Sequence, residues 1–299
     1  MQRFKKTIAL LFGVVVALTS LWMPNVQEKI HSVRKSPRSS RYQSYDEAMA
    51  DSGSGYDSDL IASVVAIKTE RVKNQIQSNG LSLDLPTIRT LAAIGISNFG
   101  THARVLDFGG AAGHHYLIAK HSSNVPRRYD WRVVETLAMV RASQHLSTEE
   151  LTFHASIDDA IRNWDSPPQL LLASGVLMCV PNPAETLRTL LMCGAERVFF
   201  TRTGFSPDQQ TRIIVQRSSL ADNGPGVLPD GFKNVAVKYP CTFIPRLAFE
   251  SIVQQCGYSI SVRILEDINV WFDGLVGISQ YGYVCELNPE NHSQQLNQI

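Results

Sequence analysis

RVLDFGGAAGHHY, residues Arg104 to Tyr116, is the stretch whose reading decides the fold. Arg104 to Phe108 alternates and ends apolar, as a buried parallel strand does. It breaks into Gly109-Gly110-Ala-Ala-Gly113, and helix-compatible residues follow through Lys120. Strand, glycine turn, helix is the geometry in which backbone N–H groups at a helix start face a polar ligand. Gly109 and Gly110 let the turn tighten and a ligand lie on bare backbone, while Gly113 lets the helix pack close on the sheet. This is not the dinucleotide fingerprint, because Phe108 stands where G-x-G-x-x-G needs its first glycine. Asp107 at the strand end puts an anion beside the turn, which repels a pyrophosphate and suits a cationic ligand.

Working outward, the chain alternates strands and helices. Trp131-Arg-Val-Val-Glu135 is a short strand ending in an acid, twenty-two positions after Gly113. A carboxylate at that tip can accept both ribose hydroxyls of a nucleoside. Leu151 to His154 is a third strand, followed by Ser156-Ile157-Asp158. Gln169 to Ala173 is a fourth strand, apolar from Leu170 on and hence buried on both faces, and opens into Ser174-Gly175 at the carboxyl edge. Pro181-Asn-Pro183 starts a helix through Met192, and Arg197 to Thr201 is strand five, ending in Arg202-Thr203. A helix from about Pro245 to Cys256, stopped by Gly257, precedes strands Ser259–Leu265 and Tyr281–Leu287. Between Phe205 and Pro245 lies a Gly- and Pro-bearing insertion, which at that length reads as a lid or binding surface.

The order LDFGG-x-x-G, strand-end Glu135, ASGVL and FFTRT resembles the Rossmann-like (class I) S-adenosylmethionine-dependent methyltransferases across residues 100–287. It departs from their usual motif at Ala111, where glycine is common. Gly55-Tyr56-Asp57-Ser58-Asp59, Val105 to Gly110 and Tyr239-Pro-Cys241 are similar to a narrower group of methyltransferase-like proteins associated with bacterial surface-polysaccharide gene sets. The resemblance implies an α/β three-layer sandwich on a mostly parallel seven-stranded sheet, the last strand antiparallel, behind an N-terminal helical extension. It implies S-adenosylmethionine as cofactor, held by Asp107, Gly109, Gly110, Gly113, Tyr116, Glu135, Ser156, Ile157, Asp158 and Ser174. The activity implied is methyl transfer to a small molecule or glycan intermediate, as O-methylation at the cytoplasmic membrane face.

His114 and His115 sit at a helix start, where imidazole stays neutral and able to accept a proton, so they are the candidate bases. Arg202, at the carboxyl edge, is the acceptor-side candidate for holding an anionic group. Plainer readings stand beside these. The histidines can be donor contacts or a solvated cap, Tyr116 core packing, Asp158 a first-turn acid, and Arg202 a loop arginine or ion-pair member. Cys241 has no evident activating base. A non-catalytic donor-binding or interaction module of the same fold is the alternative function. A NAD(P)-dependent dehydrogenase is disfavoured by Phe108 and Asp107.

The chain has 299 residues, enough for a substantial core, and a formal net charge of +1, which argues for no nucleic-acid partner. Five scattered cysteines without a C-x-x-C pair imply neither a disulfide framework nor a metal site. Arg3, Lys5 and Lys6 precede an uncharged run from Thr7 to Met23 closed by Pro24, with basic residues beyond. Residues 1–24 therefore read as an uncleaved membrane anchor with its carboxyl side cytoplasmic, a secretory signal and a buried helix being the other readings. This places the protein on the cytoplasmic side of the inner membrane, or in the cytoplasm if the segment is no anchor. The remaining divisions are a polar linker at 25–58, a helical cap at 59–98, a methyltransferase domain at 99–288 with insertion 205–245, and a tail at 289–299.

Overall fold

Hydrophobic period explains how the layers of this computed structural model assemble. The structure describes residues 42–82, 84–97, 99–122, 127–272 and 275–288. Strands β1 (His102–Phe108), β2 (Arg128–Val134), β3 (Leu151–His154), β4 (Leu170–Ser174), β5 (Arg197–Phe205), β8 (Tyr258–Phe272) and β9 (Leu275–Leu287) form one sheet. Their spatial order is β3-β2-β1-β4-β5-β9-β8. β1 to β5 run parallel, and β9 enters antiparallel between β5 and β8. This is the mostly parallel seven-stranded Rossmann-like α/β fold with its last strand antiparallel that the resemblance implied.

Because side chains alternate along a strand, Val105, Leu170 and Leu172 face one layer while Leu106, Leu171 and Ala173 face the other. The first layer contains α2 (Asp59–Asn79), α3 (Leu85–Ile96), α4 (His114–Ser122) and α5 (Leu137–Ser143). The second contains α7 (Pro183–Met192) and α8 (Arg246–Gln255), bringing Leu187, Leu190, Leu191, Phe249 and Val253 to the core. With both faces covered, β4 has no place for a polar side chain before Ser174.

Three regions differ from the sequence expectation. Residues 42–58, placed in a polar linker by composition, carry α1 (Tyr45–Ser52), capped by Ser44, which accepts the Glu47 N–H, while Glu47 accepts the Gln43 N–H at 2.8 Å. Reciprocal capping lets a short polar helix form, and α1 then packs on the insertion. The insertion is itself folded: β6 (Arg212–Ser219) and β7 (Ala236–Phe243) pair antiparallel as a separate ribbon. Tyr239 of that ribbon stacks on Tyr56 at 4.2 Å between ring centroids, the Tyr42 N–H bonds the Ile213 carbonyl, and Asp57 accepts the Ala138 N–H at the start of α5. Lastly, β8 and β9 run 15 and 13 residues, well beyond the segments expected. The anchor at 1–24, the first part of the linker and the tail at 289–299 lie outside the described residues, among which no helix is long and apolar enough to cross a membrane.

The helical layer is tied to the ribbon by Lys68, which is 1% exposed and donates to the carbonyls of Ala221, Asn223 and Gly224 at 2.8, 2.7 and 3.3 Å. Lys68→Met would leave these acceptors without their ammonium and is expected to lower stability by about 2–4 kcal/mol. Urea midpoints of the two proteins measure this, and an unchanged midpoint would mean that the amine is not holding the ribbon.

Candidate functional site

β1 lies between β2 and β4, so its carboxyl end opens at the centre of the sheet edge. There the chain turns through Gly109 at φ +72°, Ala111 at +51° and Gly113 at +84°. The Gly109 N–H bonds the Val134 carbonyl at 2.9 Å and the Gly113 N–H bonds that of Gly110 at 3.1 Å. All three glycines need their bareness for space, Gly113 against Leu151 at 2.8 Å, and Gly109 and Gly113 need it for torsion as well. A Cβ at Gly109 would stand 2.4 Å from Val176, and one at Gly110 would stand 2.3 Å from the Asp107 carboxylate.

The contact at Gly110 corrects the reading of Asp107 as a surface for a cationic ligand. Asp107 is fully buried beneath the turn, where Trp131 Nε1 donates to Oδ2 at 3.0 Å. His115 Nδ1 lies 3.1 Å from both carboxylate oxygens. A carboxylate only accepts, so Nδ1 carries the ring hydrogen, and in the neutral ring Nε2 is the acceptor. Asp107 therefore holds the turn from below and orients His115.

Glu135, just past β2, stands where the sequence placed it. Its Oε1 accepts the Ala111 N–H at 3.0 Å and its Oε2 the Thr136 N–H at 3.0 Å. This bond steadies a left-handed conformation that costs an alanine roughly 1–2 kcal/mol, which accounts for a non-glycine residue at position 111. Burial, the largest cause, raises the Glu135 pKa, with Asp107 adding to it against the two backbone N–H groups. Each oxygen keeps lone-pair capacity for a ligand hydroxyl.

The other expected residues divide. Tyr116 turns inward: it is buried edge-on to Tyr129 and Trp131, and its hydroxyl donates to Glu150 at 2.9 Å, so it covers no ligand. Ser156 caps α6 (Ile157–Ile161) by accepting the Asp159 N–H, and Asp158 is an exposed first-turn acid. A cleft of about 270 Å³ brings Ser156 and Ile157 together with Phe108 and Val134, but not Asp158. Ser174 ends β4 opposite Thr201. Cys241 is buried and its thiol pKa is held well above the ordinary value, so it is no nucleophile.

His114 neighbours Asp84, the cap of α3. Burial first, then His115, push its pKa down from 6.5 to about 4, against the pull of Asp84 and Asp107. The folded state thus resists the proton that the unfolded chain takes up below 6.5, so this contribution to stability is lost as pH falls from 6.5 towards 4. His114→Gln is expected to remove roughly 2 kcal/mol of the stability lost between pH 7 and 4.5. Denaturation at both pH values checks this, together with an imidazole resonance that stays neutral across pH 5–8.

Arg202 does not end its strand. β5 continues to Phe205, with a register shift against β9 between Phe200 and Thr203 that leaves Arg202 at φ +53°. Its N–H bonds Glu266 Oε2 at 2.7 Å, and the Thr201 hydroxyl bonds Oε1. Arg89 of α3 approaches the same carboxylate at 3.5 Å. Sequence reading missed Glu266, Arg89 and Val176; the one available signal was the acidic pair Glu266-Asp267 set between the apolar Ile264-Leu265 and Ile268. Among the described residues no group of three His, Cys, Asp or Glu side chains is placed to hold a metal ion.

No family model matches the chain, and no curated protein matches it. Among solved structures it is similar to an S-adenosylmethionine-dependent methyltransferase from Clostridium acetobutylicum, at 9% identity over 74% of this chain and 98% of that one, with a TM-score of 0.45. It is also similar to the CcbJ methyltransferase from Streptomyces caelestis, at 10% identity, 68% and 94% coverage and a TM-score of 0.43. For magnesium protoporphyrin IX methyltransferase from Synechocystis the figures are 10%, 74%, 97% and 0.40.

Proposed function

We propose that this chain is an S-adenosylmethionine-dependent methyltransferase acting on a hydroxyl of a small molecule or glycan intermediate at the cytoplasmic face of a membrane. The observation that carries the reading is the pairing of a bare glycine turn with the Glu135 carboxylate across the carboxyl ends of β1 and β2. That pairing fits a nucleoside whose amino acid end is polar: backbone at the turn faces one part, and Glu135 accepts the ribose hydroxyls. Gly109, Gly110 and Gly113 shape the seat, Ile157 offers an apolar contact beside Ser156, and Ser174 borders it.

When bound, the donor supplies a methyl carbon activated by its sulfonium. The chain's part is to bring an acceptor oxygen into line with that carbon and to exclude water. As the new C–O bond forms and the C–S bond breaks, its electron pair stays on sulfur and the hydroxyl proton must leave. His115 is the base in this reading, because Asp107 fixes Nδ1–H and leaves Nε2 to take the proton. His114 stays neutral but is weakly basic, which suits a contact more than a base. The apolar segment at 1–24 supports the membrane placement.

Titration calorimetry with S-adenosylmethionine, followed by mass spectrometry of surface glycans and lipids with and without the gene, tests the proposal. Micromolar donor binding and a 14-dalton increment lost with the gene are expected. Donor binding without any lost increment would favour a non-catalytic module of this fold.

A further inference from the structure

We propose that Arg202 is an anion seat, that the group it takes is a carboxylate or phosphate carried by the acceptor, and that Glu266 is the positioning residue that holds it ready. Only the word acceptor rests on the methyltransferase reading; the seat is argued from the geometry of the rim.

A bulge in a strand re-aims a side chain, and here the break in register between β5 and β9 falls at Thr201 and Arg202. A left-handed arginine costs roughly 1–2 kcal/mol and persists only where its surroundings impose it. The imposing group is Glu266, whose side chain is 7% exposed. It takes the Arg202 N–H, the Thr201 hydroxyl and the Arg89 guanidinium on one carboxylate. Its charge is therefore answered by Arg89 and two hydrogen bonds.

The Arg202 guanidinium is left over. It forms no ion pair among the described residues, and the residue is exposed. It lies flat on Gly175, where a Cβ would stand 2.5 Å from Nη2 and 2.9 Å from Nε. Gly175, at φ +66°, leaves that space open, and the next residue, Val176, lies against Gly109 of the glycine turn. A planar fork of donors is thus held one residue from the loop that crowns the proposed donor seat. Guanidinium in that state binds carboxylate and phosphate through two parallel hydrogen bonds, binds a neutral group more weakly and repels a cation.

The test titrates the full chain at constant ionic strength with inorganic phosphate, with acetate and with glucose, following the Arg202 side-chain N–H resonances. Saturable binding of phosphate or acetate is expected, and which of the two binds more tightly identifies the group. Arg202→Gly should weaken it at least about tenfold, while Glu266→Gln should weaken it severalfold with the guanidinium still present. Glycine accepts φ +53° without strain, so Arg202→Gly is expected to melt no lower than the natural chain. Anion binding that survives Arg202→Gly, or glucose binding as tightly as the anions, overturns the seat. A parallel titration with S-adenosylhomocysteine separates the two readings: if it fails while anions still bind at Arg202, the methyltransferase reading falls and the seat stands.

Discussion

Asp107→Ala is expected to cost the fold about 3–5 kcal/mol. The carboxylate is fully buried, receives the Trp131 indole N–H and orients His115, so alanine strands two donors in the core and opens a void under Gly110. Asp107→Asn keeps the shape and one acceptor oxygen, and should cost only about 1–2 kcal/mol. Urea denaturation followed by circular dichroism measures both. Because the same carboxylate is the floor of the glycine turn, donor affinity should fall with stability in the alanine variant. A natural midpoint for Asp107→Ala would show that the turn holds itself.

Glu135→Gln separates binding from stability in the opposite way. On the proposed reading two ribose hydroxyls lose a charged acceptor, which corresponds to about 2–3 kcal/mol or roughly 30- to 150-fold in donor Kd. Stability should respond to pH with its own sign. Burial raises the Glu135 pKa above the ordinary 4.5, so through the window above that value the folded chain holds a proton the unfolded chain has released. Stability from this group is therefore present below 4.5 and is lost as pH rises through the raised value. Glutamine has no such proton, so on going from pH 4 to 7 the variant should lose less stability than the natural chain. Calorimetry with S-adenosylhomocysteine and denaturation at the two pH values give both readouts, and parallel pH curves for the two proteins would refute the burial account.

Where local pattern decided an element, the sequence was readable. The glycine turn, the unbroken apolar run of β4 and the acid at the tip of β2 placed the sheet edge and Glu135 correctly, because each depends on residues within a few positions. Asp107 could be located at its strand end but not aimed, since its direction is decided by Trp131, 24 residues on. The bulge at Arg202 was invisible for the same reason: Glu266, 64 residues away, creates it. The ribbon of β6 and β7 was obscured by the glycines and prolines between its strands, which read as loop although they only connect. Tyr116 was open between a donor contact and core packing, because it lies both beside the turn and on the buried side of α4, and only the packing against Tyr129 and Trp131 decides its direction.

The stacked rings of Tyr56 and Tyr239 bear on anyone who wishes to trim the amino terminus to obtain crystals or free protein. Shortening to Tyr42 keeps α1, the backbone bond to Ile213 and the Asp57 cap of α5. Shortening to Asp59, which the composition alone would recommend, shears off all three and bares one side of the ribbon. The tolerable cut is set by what those seventeen residues fasten together, not by how disordered their letters look.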